Sequence, residues 1–339
     1  MRGSRLLLIL PLIVFVACGE EGTSGSGGAG GNGSGGAGGG SGGAGGGSGG
    51  AGGGSGGTGG SGGSVNDPPP MGGNVGPTGG TVDRLAFMVF GDVRPGNVND
   101  DANYPIATIN GIMQKAATTP AEFGIGTGDY MFANASSSVT NQVADLLAAE
   151  GHFPKQIFHS LGNHECTGYT ASNCPNGTET ANIRAFMMQL VPFAQKPYYS
   201  IDITTQTGVA KFVVIAANAW DSTQASWLDQ ELSRPTQYTF TVRHEPPGNT
   251  ETMGAAASDS IIAAHPLTIG FYGHSHEYRH IDSNHVISGN AGAPISFGQY
   301  GFLYVQQRQD GNIAVTEIRS DTGQQIDGWI VNPAGARVQ

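Results

Sequence analysis

Basic residues are scarce in this chain: 15 Lys and Arg stand against 26 Asp and Glu in 339 residues, a net charge of −11. A nucleic-acid surface needs clustered Lys and Arg, so that class of partner is not expected. No His-Glu-X-X-His helix is present, which argues against a metallopeptidase or amidase. The apolar run from Leu6 to Ala17 is interrupted by Pro11 and falls short of the about 20 residues that span a bilayer. Glycine is abundant, yet the strict Gly-X-Y period of collagen is missing. Cysteine is limited to Cys18, Cys166 and Cys174.

What is present begins with Met1, Arg2 and Arg5 ahead of that apolar run, the pattern of an export signal over residues 1–17. Cys18 directly follows Phe15-Val16-Ala17 and resembles the lipobox cysteine of bacterial lipoproteins. That resemblance implies lipidation at Cys18 and an anchor in the cell envelope, with the body outside the cytoplasm. The alternative is a secretory signal cut after Ala17 that leaves a free thiol. Residues 18–82 are dominated by Gly, Ser, Ala and Thr and bury too little apolar surface to offset their ordering entropy. They are expected to form a disordered tether, with an r.m.s. span of about 40–45 Å for a flexible coil. Residues 83–339 then suffice for one large α/β domain. In an oxidising compartment Cys166 and Cys174, close neighbours in sequence, can bridge, which stabilises by roughly 2–3 kcal/mol in the loop-entropy model. Two free thiols or a metal pair are the alternatives.

Within the body, Leu85 to Phe90 reads as a strand buried on both faces. A helical spacing over 104–118, a strand over 122–127, a helix over 139–150 and a strand over 156–161 follow. Each strand delivers polar residues at its carboxyl end, where open α/β sheets place ligands. Helices are expected over 181–190 and 223–232, and strands over 198–203, 210–216, 238–242 and 267–272. Short alternating runs after Tyr278 suggest antiparallel strands. The expected architecture is two packed sheets flanked by helices.

Five stretches place metal-binding or proton-transfer side chains at the ends of these runs: Gly91-Asp92, Gly128-Asp129, Gly162-Asn163-His164-Glu165, Arg243-His244 and Gly273-His274-Ser275-His276. Carboxylate, amide and imidazole donors together suit Zn, Mn or Fe better than Ca, which prefers oxygen alone. Singly, each residue reads equally well as a helix cap or a turn. Their succession at strand ends is what points to a metal centre.

This order of motifs resembles the calcineurin-like metallophosphoesterases. The resemblance implies a four-layer αββα sandwich of two mixed sheets. It also implies two divalent ions (Mn, Zn or Fe), with Asp129 bridging, Asp92 and His276 at the first site, and Asn163, His244 and His274 at the second. Such a pair, about 3.5–4 Å apart, can activate water and clamp a phosphoryl group. His164 is then the general acid, and Asn163 a contact to substrate as well. The expected partners are a phosphate-ester substrate and, through the lipid, a membrane. The body is expected to be monomeric.

Two residues depart from the family pattern. Where the first motif usually has Asp-X-His, this chain has Arg94, which has no lone pair for a metal, so the first site is one ligand short. Arg94 suits recognition of a phosphate group instead, and is assigned to catalysis and substrate binding. The alternative is outward pairing with Asp100 or Asp101. Phe132 stands where purple acid phosphatases carry tyrosine and protein phosphatases an acidic residue. The leading reading is an exported, tethered phosphoesterase, and the rival is a surface binding protein that keeps the fold without the chemistry.

Overall fold

The computed structural model describes residues 67–167, 174, 180–296 and 298–339. The signal pattern, Cys18 and the tether as far as residue 66 lie outside these. The described residues all belong to one unit. Among them, no helix is long and apolar enough to cross a membrane.

The body begins earlier than expected. β1 (Gly73–Gly76) and β2 (Gly79–Val82) form an antiparallel hairpin inside the stretch assigned to the tether. Composition misled here because a ladder formed by backbone groups needs no apolar side chains once a strand edge is available. That edge is β6 (Tyr199–Thr205), which pairs in parallel with β2 through Gly79↔Asp202 and Thr81↔Thr204. Glycine is required at position 79, where φ is +108° and a Cβ would collide with the Asp202 carbonyl. Asp67 accepts from the Gln309 amide at 3.0 Å, so order extends up to the first described residue.

The first sheet has eight strands in the order β1-β2-β6-β7-β8-β9-β11-β10. Its further members are β7 (Gly208–Ile215), β8 (Tyr238–Arg243), β9 (Ile269–Tyr272), β10 (Tyr278–Asp282) and β11 (His285–Ser288). The second has six, ordered β14-β13-β12-β3-β4-β5. They are β3 (Ala86–Phe90), β4 (Phe123–Gly126), β5 (Gln156–His159), β12 (Gly301–Gln307), β13 (Ile313–Arg319) and β14 (Gln325–Val331). Both sheets are mixed. Helices α1 (Ile106–Ala117) and α2 (Ser136–Glu150) accompany the six-stranded sheet. The short α3 (Asn163–Thr167) and α4 (Ala181–Ala185) follow β5, and α5 (Ser222–Ser233) and α6 (Met253–Ile262) accompany the eight-stranded sheet. The four-layer sandwich is therefore present.

Five phenylalanines join the layers. Phe87 and Phe123 stack with ring centroids 5.0 Å apart, and Phe87 meets Phe212, Phe240 and Phe271 of the other sheet edge-on at 5.1–5.9 Å. All five are fully buried, and such pairs add about 0.5–1.5 kcal/mol each beyond area burial. The helix expected over 181–190 is only one α-turn, continued by a π-helical turn Phe186–Leu190. α6 and β14 were missed. The Ala- and Ser-rich sequence of α6 has little apolar periodicity, and β14 contains Gly328.

Trimming to Asp67 keeps every bond of the hairpin, whereas trimming to Asp83 leaves β6 without its parallel partner. A chain beginning at Asp67 should melt with residues 18–339. One beginning at Asp83 should melt several degrees lower, each lost kcal/mol being worth about 2–4 °C in a domain of this size. Calorimetry that finds equal melting would dismiss the hairpin as part of the fold.

Candidate metal centre

The parallel strands β3, β4 and β5 of one sheet and β8 and β9 of the other end at a common place, and the expected metal and catalytic residues gather there. Asp92 follows β3, Asp129 follows β4, Asn163 opens α3 after β5, and His244 and His276 follow β8 and β9. Only five described non-glycine residues have positive φ, and four are Asp92 (56°), Asp129 (59°), His274 (74°) and His276 (48°). Left-handed backbone at non-glycine residues costs of order 1–3 kcal/mol each and persists where surrounding bonds over-determine it. Here those bonds run between motifs: Asp92 N–H to the Gly128 carbonyl (3.0 Å), Val93 N–H to Asp129 (3.0 Å), and His274 N–H to Asp92 Oδ2 (2.9 Å). The approach is close enough that a Cβ on Gly273 would lie 2.5 Å from Asp92 Oδ2.

Glu165, quoted in the third motif but given no role, organises this turn. Its buried carboxylate accepts backbone N–H bonds from Gly162 (2.8 Å), Asp129 (2.9 Å), Tyr130 (2.6 Å) and Met131 (3.3 Å). Burial, with the nearby Asp129 charge, pushes Glu165 up to about 7, against donors that favour its anion. Its acidic type was the only signal in the sequence.

Two groups of donor atoms result. In one, His244 Nε2 lies 3.1 Å from Asn163 Oδ1 and 3.3 Å from Asp129 Oδ1. His274 Nδ1 lies 3.2 Å from the same Asn163 oxygen and 3.3 Å from His244 Nε2. In the other, ligand atoms of Asp92, Asp129 and His276 lie within 4.8 Å of one another, and Asp92 Oδ1 is buried without a hydrogen-bond partner. With only the chain's charges around it, burial pushes Asp92 up to about 8, and the Asp129 charge adds to this. Burial opposes the charge of Asp129 too, but His244, His164 and Arg94 outweigh it and hold that carboxyl well below the usual range. Burial also holds His274 and His276 at about 4, so near neutrality both offer lone pairs. Imidazole, amide and carboxylate oxygen in one pocket fit a divalent transition metal.

Arg94 lies inside the centre. Its Nη2 is 3.0 Å from His276 Nε2, its Nε is 3.5 Å from Asp129 Oδ2, and its guanidinium sits 4.6 Å above the Phe132 ring. The outward pairing does not form: Asp100 is bonded by Asn97 and Asn103, and Asp101 by Asn141 and Gln142. Phe132 also meets the His164 ring edge-on at 4.6 Å, and Gln142 fixes its backbone N–H at 2.7 Å. His164 is buried, with its N–H 3.1 Å from Asp129 Oδ1 and its Nε2 3.7 Å from Asp129 Oδ2. Tyr130 turns away, its hydroxyl accepting from Gly128 N–H. Cys166 and Cys174 form a disulfide, joining the end of α3 to the loop beyond it.

A two-sheet sandwich whose strand ends converge on such donors defines a metal-dependent hydrolase class. The model of the calcineurin-like phosphoesterases matches residues 85–278, over half of the chain, and the chain belongs to that family. Among solved structures, a purple acid phosphatase from yellow lupin (Lupinus luteus) seeds shares the fold, with a TM-score of 0.55 at 18% identity. The match covers 74% of this chain and 54% of the lupin chain, so this protein spans about half of that enzyme's length. A dimetal phosphatase from zebrafish (Danio rerio) aligns with a TM-score of 0.53 at 11% identity, covering 74% of this chain and 99% of the other. No curated protein matches the chain.

Replacing Glu165 by Gln should turn an amide NH2 toward two of the four donors, which sit two on each carboxylate oxygen. Hydrogen bonds to a charged group contribute about 1.5–3 kcal/mol each, so thermal stability and metal retention should fall together. Retention of both in calorimetry and dialysis would show that Glu165 does not hold the turn.

Proposed function

We propose that this chain is an exported phosphoesterase tethered to a membrane by lipid on Cys18, which hydrolyses phosphate esters with divalent metal. The observation that carries the reading is the meeting of Asp129, Asn163, His244 and His274 beside His164 and Arg94. A divalent ion held by those four residues, flanked by Asp92 and His276, supplies Lewis acidity toward a phosphoryl group and toward water.

The chain's own groups do the rest. His164 gives a proton from Nε2 to the departing oxygen, with the Asp129 carboxylate 3.7 Å away beside the ring. Contact with the edge of Phe132 limits rotation of that ring. Arg94 keeps an N–H on each terminal nitrogen beyond those given to Pro95 and His276, a fork suited to two phosphoryl oxygens. Asn163 lies close enough to the same space to contact substrate. The Cys166–Cys174 disulfide agrees with an oxidising compartment, and the Gly-rich stretch ahead of Asp67 supplies reach from a surface.

A chromogenic phosphate ester should be hydrolysed by the metal-loaded protein, with activity lost to chelator and restored by Mn or Zn. His164→Ala should lower kcat by about 10²–10⁴. Arg94→Ala should lower kcat/KM on the order of 10² while its tightest metal stays bound. Metal uptake with no hydrolysis across a panel of esters would favour the binding-protein reading.

Cys18→Ser should move the protein from the membrane fraction to the soluble one, with kcat on a soluble ester unchanged. Membrane retention of that variant would count against the lipid anchor.

A further inference from the structure

Two imidazoles enter the centre in the same orientation with different partners. His244 Nδ1 lies 2.9 Å from the Thr127 carbonyl, and His276 Nδ1 lies 3.2 Å from the Pro294 carbonyl. A carbonyl can only accept, so each neutral ring carries its proton on Nδ1 and presents Nε2 as a lone pair. At His244, Nε2 faces Asn163 Oδ1 at 3.1 Å and Asp129 Oδ1 at 3.3 Å. Neither oxygen can donate, so a positive charge belongs between the three atoms, either a proton on His244 Nε2 or a metal ion in its place. At His276 the lone pair already has a donor, Arg94 Nη2 at 3.0 Å. The same guanidinium lies 3.5 Å from Asp129 Oδ2, so it engages two of the three residues that would form the first metal site.

We propose that the Arg94 guanidinium is the built-in cation of the first site, so that this protein binds one metal ion tightly and not two. A metal at the first site needs the His276 lone pair that Arg94 occupies, and it would face a fixed positive charge across Asp129. Arg94 is not free to swing aside. Its guanidinium rests on the Phe132 ring, and Nη1 donates to the Pro95 carbonyl at 3.2 Å. Backbone bonds fix Phe132 in turn, its N–H given to Gln142 at 2.7 Å and its carbonyl accepting from Asn99 at 2.8 Å. The phosphoryl group is then clamped between one metal and one guanidinium. This inference rests on the phosphoesterase reading for that substrate but not for its metal count.

The test is metal stoichiometry in the full chain, stripped with chelator, loaded with Mn(II) or Zn(II), and dialysed before elemental analysis. The wild type should retain about one ion per chain, and the Mn(II) form should give the spin-resonance spectrum of an isolated ion. Arg94→His restores an imidazole at that position and should raise the content toward two, with a coupled spectrum. Two retained ions with a coupled spectrum in the wild type would overturn the proposal even if the variant does not fold. A folded Arg94→His variant that still holds one ion would also count against it. Hydrolysis by a two-ion protein would defeat this inference and keep the phosphoesterase reading. One bound ion without hydrolysis would do the reverse.

Discussion

The buried carboxylate of Asp129 is the interaction on which the centre depends. It ends a strand of the six-stranded sheet, yet one of its oxygens lies 3.3 Å from His244 of the eight-stranded sheet and the other 3.5 Å from Arg94. A charge so deeply removed from water is tolerated only with positive or donor groups on every side. Arg94, His164 and His244 each come from a different element, so satisfying this one charge fixes how the two sheets meet at their strand ends. Glu165 does for the backbone what these side chains do for the carboxylate, gathering the N–H groups of Gly162 and of residues 129–131 that the turn would otherwise leave unpaired.

Much of this was legible in the sequence, for an identifiable reason. Strands buried on both faces, such as Ala86–Phe90 and Ile269–Tyr272, read as unbroken apolar runs. The polar residue that breaks each run is the one delivered to the centre. What stayed hidden depends on tertiary context. The hairpin at Gly73–Val82 is recruited by the edge of β6, and nothing in its own composition announces a strand. The support given by Glu165 and Phe132 is invisible for a similar reason, because it consists of contacts to backbone and rings far away in the chain.

Arg94 and Phe132 are best understood together. Each alone is a departure from the family pattern, one removing a metal ligand and the other removing a polar group near the site. In space they form a single unit, a guanidinium on an aromatic face, with His164 meeting the same ring edge-on. The two substitutions replace one kind of cation support with another.

The left-handed backbone of Asp92, Asp129, His274 and His276 has a consequence for how this protein can change over time. Glycine at any of the four would relieve backbone strain while abolishing a donor atom. The local conformation at these positions therefore favours, on backbone grounds alone, sequences that have given up the chemistry. What keeps Asp and His there is the centre itself: its chemistry and, at Asp129, the charge pairing that joins the two sheets. A lineage freed from the chemistry would drift first at Asp92, His274 and His276, with Asp129 the last to go.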